Sequence, residues 1–111
     1  MEFLKEIYEE RKRVFDNYIF YVRKIKENAK KVIGKDVKVF VFGSVLEDRF
    51  SIGLSDIDVA IVTKNEVEDK ARLIEKILKG IDARNVFEIH LISEEKFNNW
   101  YKRFIKKLME I

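Results

Sequence analysis

The stretch that most constrains this chain is Phe42 to Val62, where two apolar runs are joined by a short connection. The first run ends in Phe42-Gly43-Ser44. About ten residues later the second opens as Ser55-Asp56-Ile57-Asp58 and continues Val59-Ala60-Ile61-Val62. Runs rich in β-branched and aromatic residues read as strands. Carboxylates two residues apart at the mouth of a strand share one of its faces. Two acids beside buried surface cost free energy unless something positive binds between them. A divalent cation is the expected partner of Asp56 and Asp58, and the rest of the chain has to be arranged around that pair.

With 111 residues, 47% of them apolar, the chain has room for one core and reads as a single domain over 1–111. Residues 1–34 form an N-terminal helical segment and 37–111 the core of that domain. Charged residues reach 39%, against about 25% in ordinary globular chains; the Lys and Glu content fits a thermophile's surface. With no cysteine, disulfide scaffolds and Cys-type zinc sites are excluded. Met1 is followed by a charged amphipathic segment, not by an apolar signal-peptide region. No apolar run approaches the ~18 residues of a membrane span. The expected location is the cytoplasm. Net charge is +3, with basic residues interleaved among acids on helical segments, so nucleic acid is not expected as a primary partner.

In chain order, residues 2–33 read as helix. Leu4, Tyr8, Arg11, Phe15, Tyr18, Val22, Ile25, Ala29 and Val32 follow an alternating four–three spacing, with Arg11 the one misfit. Unbroken, such a helix spans roughly 45 Å, long beside a domain whose radius of gyration should be about 13 Å. Either it breaks near Asp16-Asn17, or its first half overhangs and needs a partner. Strands are expected at 37–42, 56–62 and 86–92. A helical turn is expected after Ser44, a helix over 66–79, and a last helix after the N-cap Ser93 whose apolar stripe runs through Phe97, Trp100, Tyr101, Phe104, Leu108 and Met109. In the third strand Phe87, Ile89 and Leu91 point one way, and Val86, Glu88, His90 and Ile92 the other. The fold class is α+β: a small mixed sheet of about three strands flanked by helices.

Asp56, Asp58 and Glu88 are therefore three acids on strands among apolar neighbours. A hard cation such as Mg²⁺ takes oxygen ligands, commonly one or two carboxylates with phosphate oxygens and water. A third carboxylate on another strand completes the site or accepts a proton from a nucleophile. Glycine at position 43 lets backbone approach an anion closely, and Ser44 adds a hydroxyl. His90 shares the Glu88 face but reads as a half-buried strand histidine. Lys64 reads as a solvated loop lysine and Trp100 as core.

The combination resembles the minimal nucleotidyltransferases, of the superfamily with DNA polymerase β-like palms. The family pattern is an apolar residue, Gly-Ser, about ten residues, then Asp-apolar-Asp-apolar; here it is Phe42-Gly43-Ser44, then Asp56-Ile57-Asp58-Val59. The resemblance implies a palm-like fold with Mg²⁺ (or Mn²⁺) held by Asp56, Asp58 and Glu88. ATP or another NTP would bind by its triphosphate near Gly43 and Ser44. The chain departs from the pattern after Gly-Ser, carrying Glu47-Asp48-Arg49 where many members have a small or basic residue and a glycine. The implied activity is transfer of a nucleoside monophosphate to an acceptor hydroxyl. Minimal members resemble antitoxins acting with a helical toxin-like partner, whose tyrosine can be the acceptor; a homodimer through the N-terminal helix is the other partner reading. The alternative function is a non-catalytic nucleotide- or partner-binding module that retains the fold.

Overall fold

The computed structural model describes residues 2–111, with only the backbone of Trp100; the core position expected for that side chain lies outside the described residues. The first helical segment is two helices, α1 (Glu2–Asp16) and α2 (Tyr18–Val32). The break falls at Asn17, at φ −127° and ψ 28°. The Asn17 side-chain amide donates to the Arg13 carbonyl at 2.8 Å, while its backbone N–H donates to the Val14 carbonyl at 3.1 Å. The side chain thus takes the acceptor that the helical backbone would use.

The segment breaks where expected, and its first turns are also exposed. Phe15, Val22, Ile25 and Ala29 are buried, so the second half of the apolar seam is core. Leu4 and Tyr8 are exposed, as are Phe3 and Ile7, so the first two turns of α1 overhang. The molecule measures 46 × 30 × 21 Å.

The sheet has four strands in the order β3-β2-β1-β4. β1 (Lys38–Phe42) pairs antiparallel with β2 (Ile57–Thr63), and β2 pairs parallel with β3 (Phe87–Ser93). The fourth strand, β4 (Leu108–Glu110), was expected to continue the last helix and instead pairs antiparallel with β1. An unpaired β1 edge would leave a row of backbone donors and acceptors exposed. The C-terminus closes it, and Lys26 Nζ donates to the Ile111 carbonyl at 2.6 Å.

Alternation gives the sheet two different faces. Val39, Val41, Ile57, Val59, Ile61, Phe87 and Leu91 belong to the main core, under α2 and α3 (Lys70–Ile77). Ala60, Val62 and Ile92 form a second cluster with Phe97, flanked by Phe40, Phe42, Tyr101 and Ile105. This second face is covered by the last helical stretch: α4 (Glu94–Lys96), a π-helical turn over Phe97–Tyr101, then α5 (Lys102–Phe104). Ser93 is its N-cap, accepting from the Lys96 N–H at 3.3 Å, as its position implied. The expected helix over 66–79 begins only at Lys70, because Asp69 takes a left-handed conformation and caps it, accepting from the Arg72 N–H. Residues 66–69 form the loop before it. No helix among the described residues is long and apolar enough to cross a membrane.

The contrast between the halves of the N-terminal segment is measurable. Ile25 is fully buried, and Ile25→Ala should lower unfolding free energy by about 2–5 kcal/mol in urea titrations. Leu4→Ala, on the overhang, should stay within about 0.5 kcal/mol of the parent. A loss at Leu4 equal to that at Ile25 would mean that α1 is packed in solution.

Candidate active site

The parallel register sets Asp58 opposite Glu88 and Ala60 opposite His90. All but Ala60 of these carry polar side chains, on the sheet face that the last helical stretch covers. Asp58 is the second residue of β2 and Glu88 the second of β3, so both stand where their strands enter the sheet. β1 runs the other way and delivers Phe42 and Gly43 to the same end. One atom each of Asp58, Glu88 and His90 lie within 4.8 Å of one another. His90 Nε2 is 3.1 Å from Asp58 Oδ1 and 3.9 Å from Glu88 Oε1, and thus stands between the two acids. The opposite ring nitrogen, Nδ1, is 3.5 Å from the Tyr101 hydroxyl. The ring is 5.0 Å from that of Phe42, centre to centre, and 5.9 Å from that of Tyr101.

This donor set suits a divalent cation. Carboxylate oxygens and an imidazole nitrogen are ligands that Mn²⁺ and other first-row ions accept, whereas Mg²⁺ favours oxygen. One ligand atom from each residue stands close enough for the three to share one ion once the side chains adjust. A ligating histidine needs its other nitrogen protonated and bonded; Tyr101 Oη stands on that side of the ring.

Gly43 is built into this site. Its φ is 86° and its ψ −157°, a conformation essentially reserved for glycine. A Cβ there would collide with the Asp58 carboxylate oxygen and come within 3.2 Å of its Cγ. Ser44–Leu46 then forms the expected helical turn, of 3₁₀ type. Asp48 stands in the left-handed region at φ 55°, where a glycine would be unstrained. The acids after Gly-Ser do not stand alone: Arg49 Nη2 donates to Glu47 Oε1 at 2.7 Å.

Asp56 is placed differently from Asp58. It precedes β2 by one residue, outside the strand expected to hold it, and it is not one of the three converging residues. Its Oδ1 lies 4.0 Å from Arg11 Nη2. Arg11 Nε donates to the Ile52 carbonyl at 2.6 Å, and Arg11 Nη2 donates to the Ser55 carbonyl. Phe15, one turn further along α1, stacks on Phe50 with ring centres 5.1 Å apart. The connection that leads into Asp56 is therefore pinned from α1 at two points.

Two residues near the acids carry only weak signals in the sequence. His90 was read as an ordinary strand histidine, although its two-residue spacing from Glu88 placed it on the acid's face. Arg11 showed only as a charge interrupting an apolar seam. Lys64 is remote from the acids, at the far end of β2, 3.5 Å from Asp36.

Comparison with known proteins bears on the family and the fold. The model of the nucleotidyltransferase domain family matches residues 22–110. A search of the curated proteins finds no match. Among solved structures, a candidate nucleotidyltransferase is 35% identical, covers 81% of this chain and 96% of its own, and superposes with a TM-score of 0.58. A second candidate nucleotidyltransferase, from Sulfolobus solfataricus, is 18% identical, covers 94% of this chain and 84% of its own, with a TM-score of 0.57, and shows the fold alone. With a sheet that brings an acid pair beside a glycine turn, and with the family's pattern matched over most of its length, the chain belongs to the nucleotidyltransferase domain family.

Proposed function

We propose that the protein transfers a nucleoside monophosphate from an NTP, ATP in the first instance, to an acceptor hydroxyl, with a bound divalent cation. The observation that carries this reading is the convergence of Asp58, Glu88 and His90 beside Gly43. Asp58, Glu88 and His90 would hold the cation, with Asp56 as a further ligand. When bound, the cation neutralises charge on the triphosphate and favours in-line displacement. Gly43, lacking a side chain, leaves room for phosphate oxygens near the acids, and Ser44 offers its hydroxyl. In the reaction the acceptor oxygen attacks the α-phosphorus. An O–P bond forms as the α–β phosphoanhydride bond breaks, and pyrophosphate leaves. The acceptor proton passes to a carboxylate at the mouth; Glu88, whose side chain is 58% exposed, can pass it on to water.

What supports a protein as the acceptor is α1, whose exposed Phe3, Leu4, Ile7 and Tyr8 form an apolar stripe beyond the folded core. An amphipathic helix lying on that stripe would reach the molecule on the element that also holds the Asp56 connection through Arg11. An antitoxin-like pairing with a helical toxin fits this arrangement, and so does a homodimer.

Three outcomes are expected. With Mn²⁺ or Mg²⁺ and ATP labelled at the α-phosphate, label should pass to an acceptor protein supplied with the chain, and Asp58→Asn should reduce transfer about 100-fold or more. Equal transfer by Asp58→Asn would remove the proposed chemistry. In thermal melts, Mn²⁺ at ~100 times its dissociation constant should stabilise the protein by about 2.7 kcal/mol, seen as a rise of several degrees, and Asp58→Asn should abolish the rise. Gly43→Ala should destabilise the fold by about 1–3 kcal/mol and remove the metal-dependent rise together, since the new methyl group displaces the Asp58 carboxylate. A Gly43→Ala protein that keeps its full metal response would show that the close approach of Gly43 to Asp58 has no role in the site.

A further inference from the structure

On the sheet face that carries the acids lies a cleft of about 410 Å³. Phe42, Gly43, Tyr101 and Phe104 form much of its wall, and Glu47 and Lys106 are its charged members. Its volume lies within the range of small-molecule sites. Three of its lining residues adjoin the acid cluster. Gly43 abuts the Asp58 carboxylate, the Phe42 ring lies 5.0 Å from that of His90, and the Tyr101 hydroxyl lies 3.5 Å from His90 Nδ1. Phe104 is 74% exposed although it lines the cleft.

We propose that this cleft is the nucleobase subsite, with the base stacked on Phe104 and Tyr101 and an exocyclic amino group of the base donating to Glu47. The proposal rests on the nucleotide reading above and adds to it the residues that grip the base and the kind of base preferred. Aromatic faces stack nucleobases of any sequence. The π-helical turn over Phe97–Tyr101 is the sort of helix irregularity that recurs at functional sites, and it ends at Tyr101, against His90 and Phe42. A carboxylate accepts hydrogen bonds and donates none, so Glu47 selects a base edge bearing an amino group. Its Oε1 is steadied by Arg49. Adenine meets this requirement and uracil does not. The acid at position 47, a departure from the family's usual small or basic residue, then becomes a reader of the base.

The test is calorimetric titration of the Mn²⁺-loaded protein with ATP, UTP and inorganic tripolyphosphate. Phe104→Ala should weaken ATP binding about tenfold and leave tripolyphosphate within about twofold. Phe104→Trp should restore ATP affinity. Glu47→Gln should reduce the preference for ATP over UTP. Unchanged ATP affinity in Phe104→Ala, or an equal loss for ATP and tripolyphosphate, overturns the stacking assignment while leaving the phosphate site standing. An unaltered ATP-to-UTP ratio in Glu47→Gln overturns the role of Glu47. If the parent protein binds neither ATP nor tripolyphosphate, the nucleotide reading falls and this proposal with it.

Discussion

The in-register parallel pairing of β2 with β3 is the interaction on which the site depends. It sets Asp58 beside Glu88, and their oxygens stand within 4.8 Å of one another. Two such charges repel by about 1 kcal/mol where water screens them and by roughly 3–4 kcal/mol at an effective dielectric constant of about 20. Exposure of Glu88 keeps the value toward the lower figure. His90 Nε2 stands between the two acids, and the more exposed of them, Glu88, faces solvent. A slip of one residue in this register would turn Glu88 and His90 to the other face of the sheet and dissolve the cluster. The hydrophobic alternation of β3, with Phe87 and Leu91 buried in the main core, is what holds the register.

A second constraint runs from the N-terminus. The connection between β1 and β2 is long enough to wander, yet Arg11 and Phe15 fasten it at Ile52, Ser55 and Phe50. These contacts fix the path of the chain into Asp56, the residue before β2. Arg11 holds both backbone carbonyls and the carboxylate, so a change in α1 reaches an acid by a single side chain. The same helix carries the exposed apolar stripe. A partner seated there would bear directly on the geometry of Asp56, which gives the overhang a chemical consequence beyond docking.

Much of this was legible from residues because strands announce themselves by period. The Phe42–Val62 pattern singled out Gly43, Ser44 and Asp58, and alternation in β3 put Glu88 and His90 on one face. Register was not legible: nothing local says that Asp58 meets Glu88, so the position of His90 between the acids came only from the folded sheet. Asp56 was read as inside the strand because boundaries shift by a residue or two with little change in pattern. β4 was missed since Leu108 and Met109 continue a helical stripe as well as they fill a sheet edge, and the free edge of β1 decided between them. Asn17 was a visible candidate for the helix break, and its side chain explains why the break is there. Arg11 left a signal, a lone charge in an apolar seam, whose meaning depended on a loop 41 residues away.

Everything proposed for this site depends on Asp58, Glu88 and His90 binding one cation together. Pulsed electron paramagnetic resonance of Mn²⁺ bound to the protein tests it most directly, since a coordinated imidazole nitrogen couples to the metal's electron spin. Nitrogen coupling is expected in the parent protein and lost in His90→Gln, and Mn²⁺ binding is expected to be lost in Asp58→Asn. Tight Mn²⁺ binding with no nitrogen coupling, or binding that survives Asp58→Asn unchanged, would contradict it.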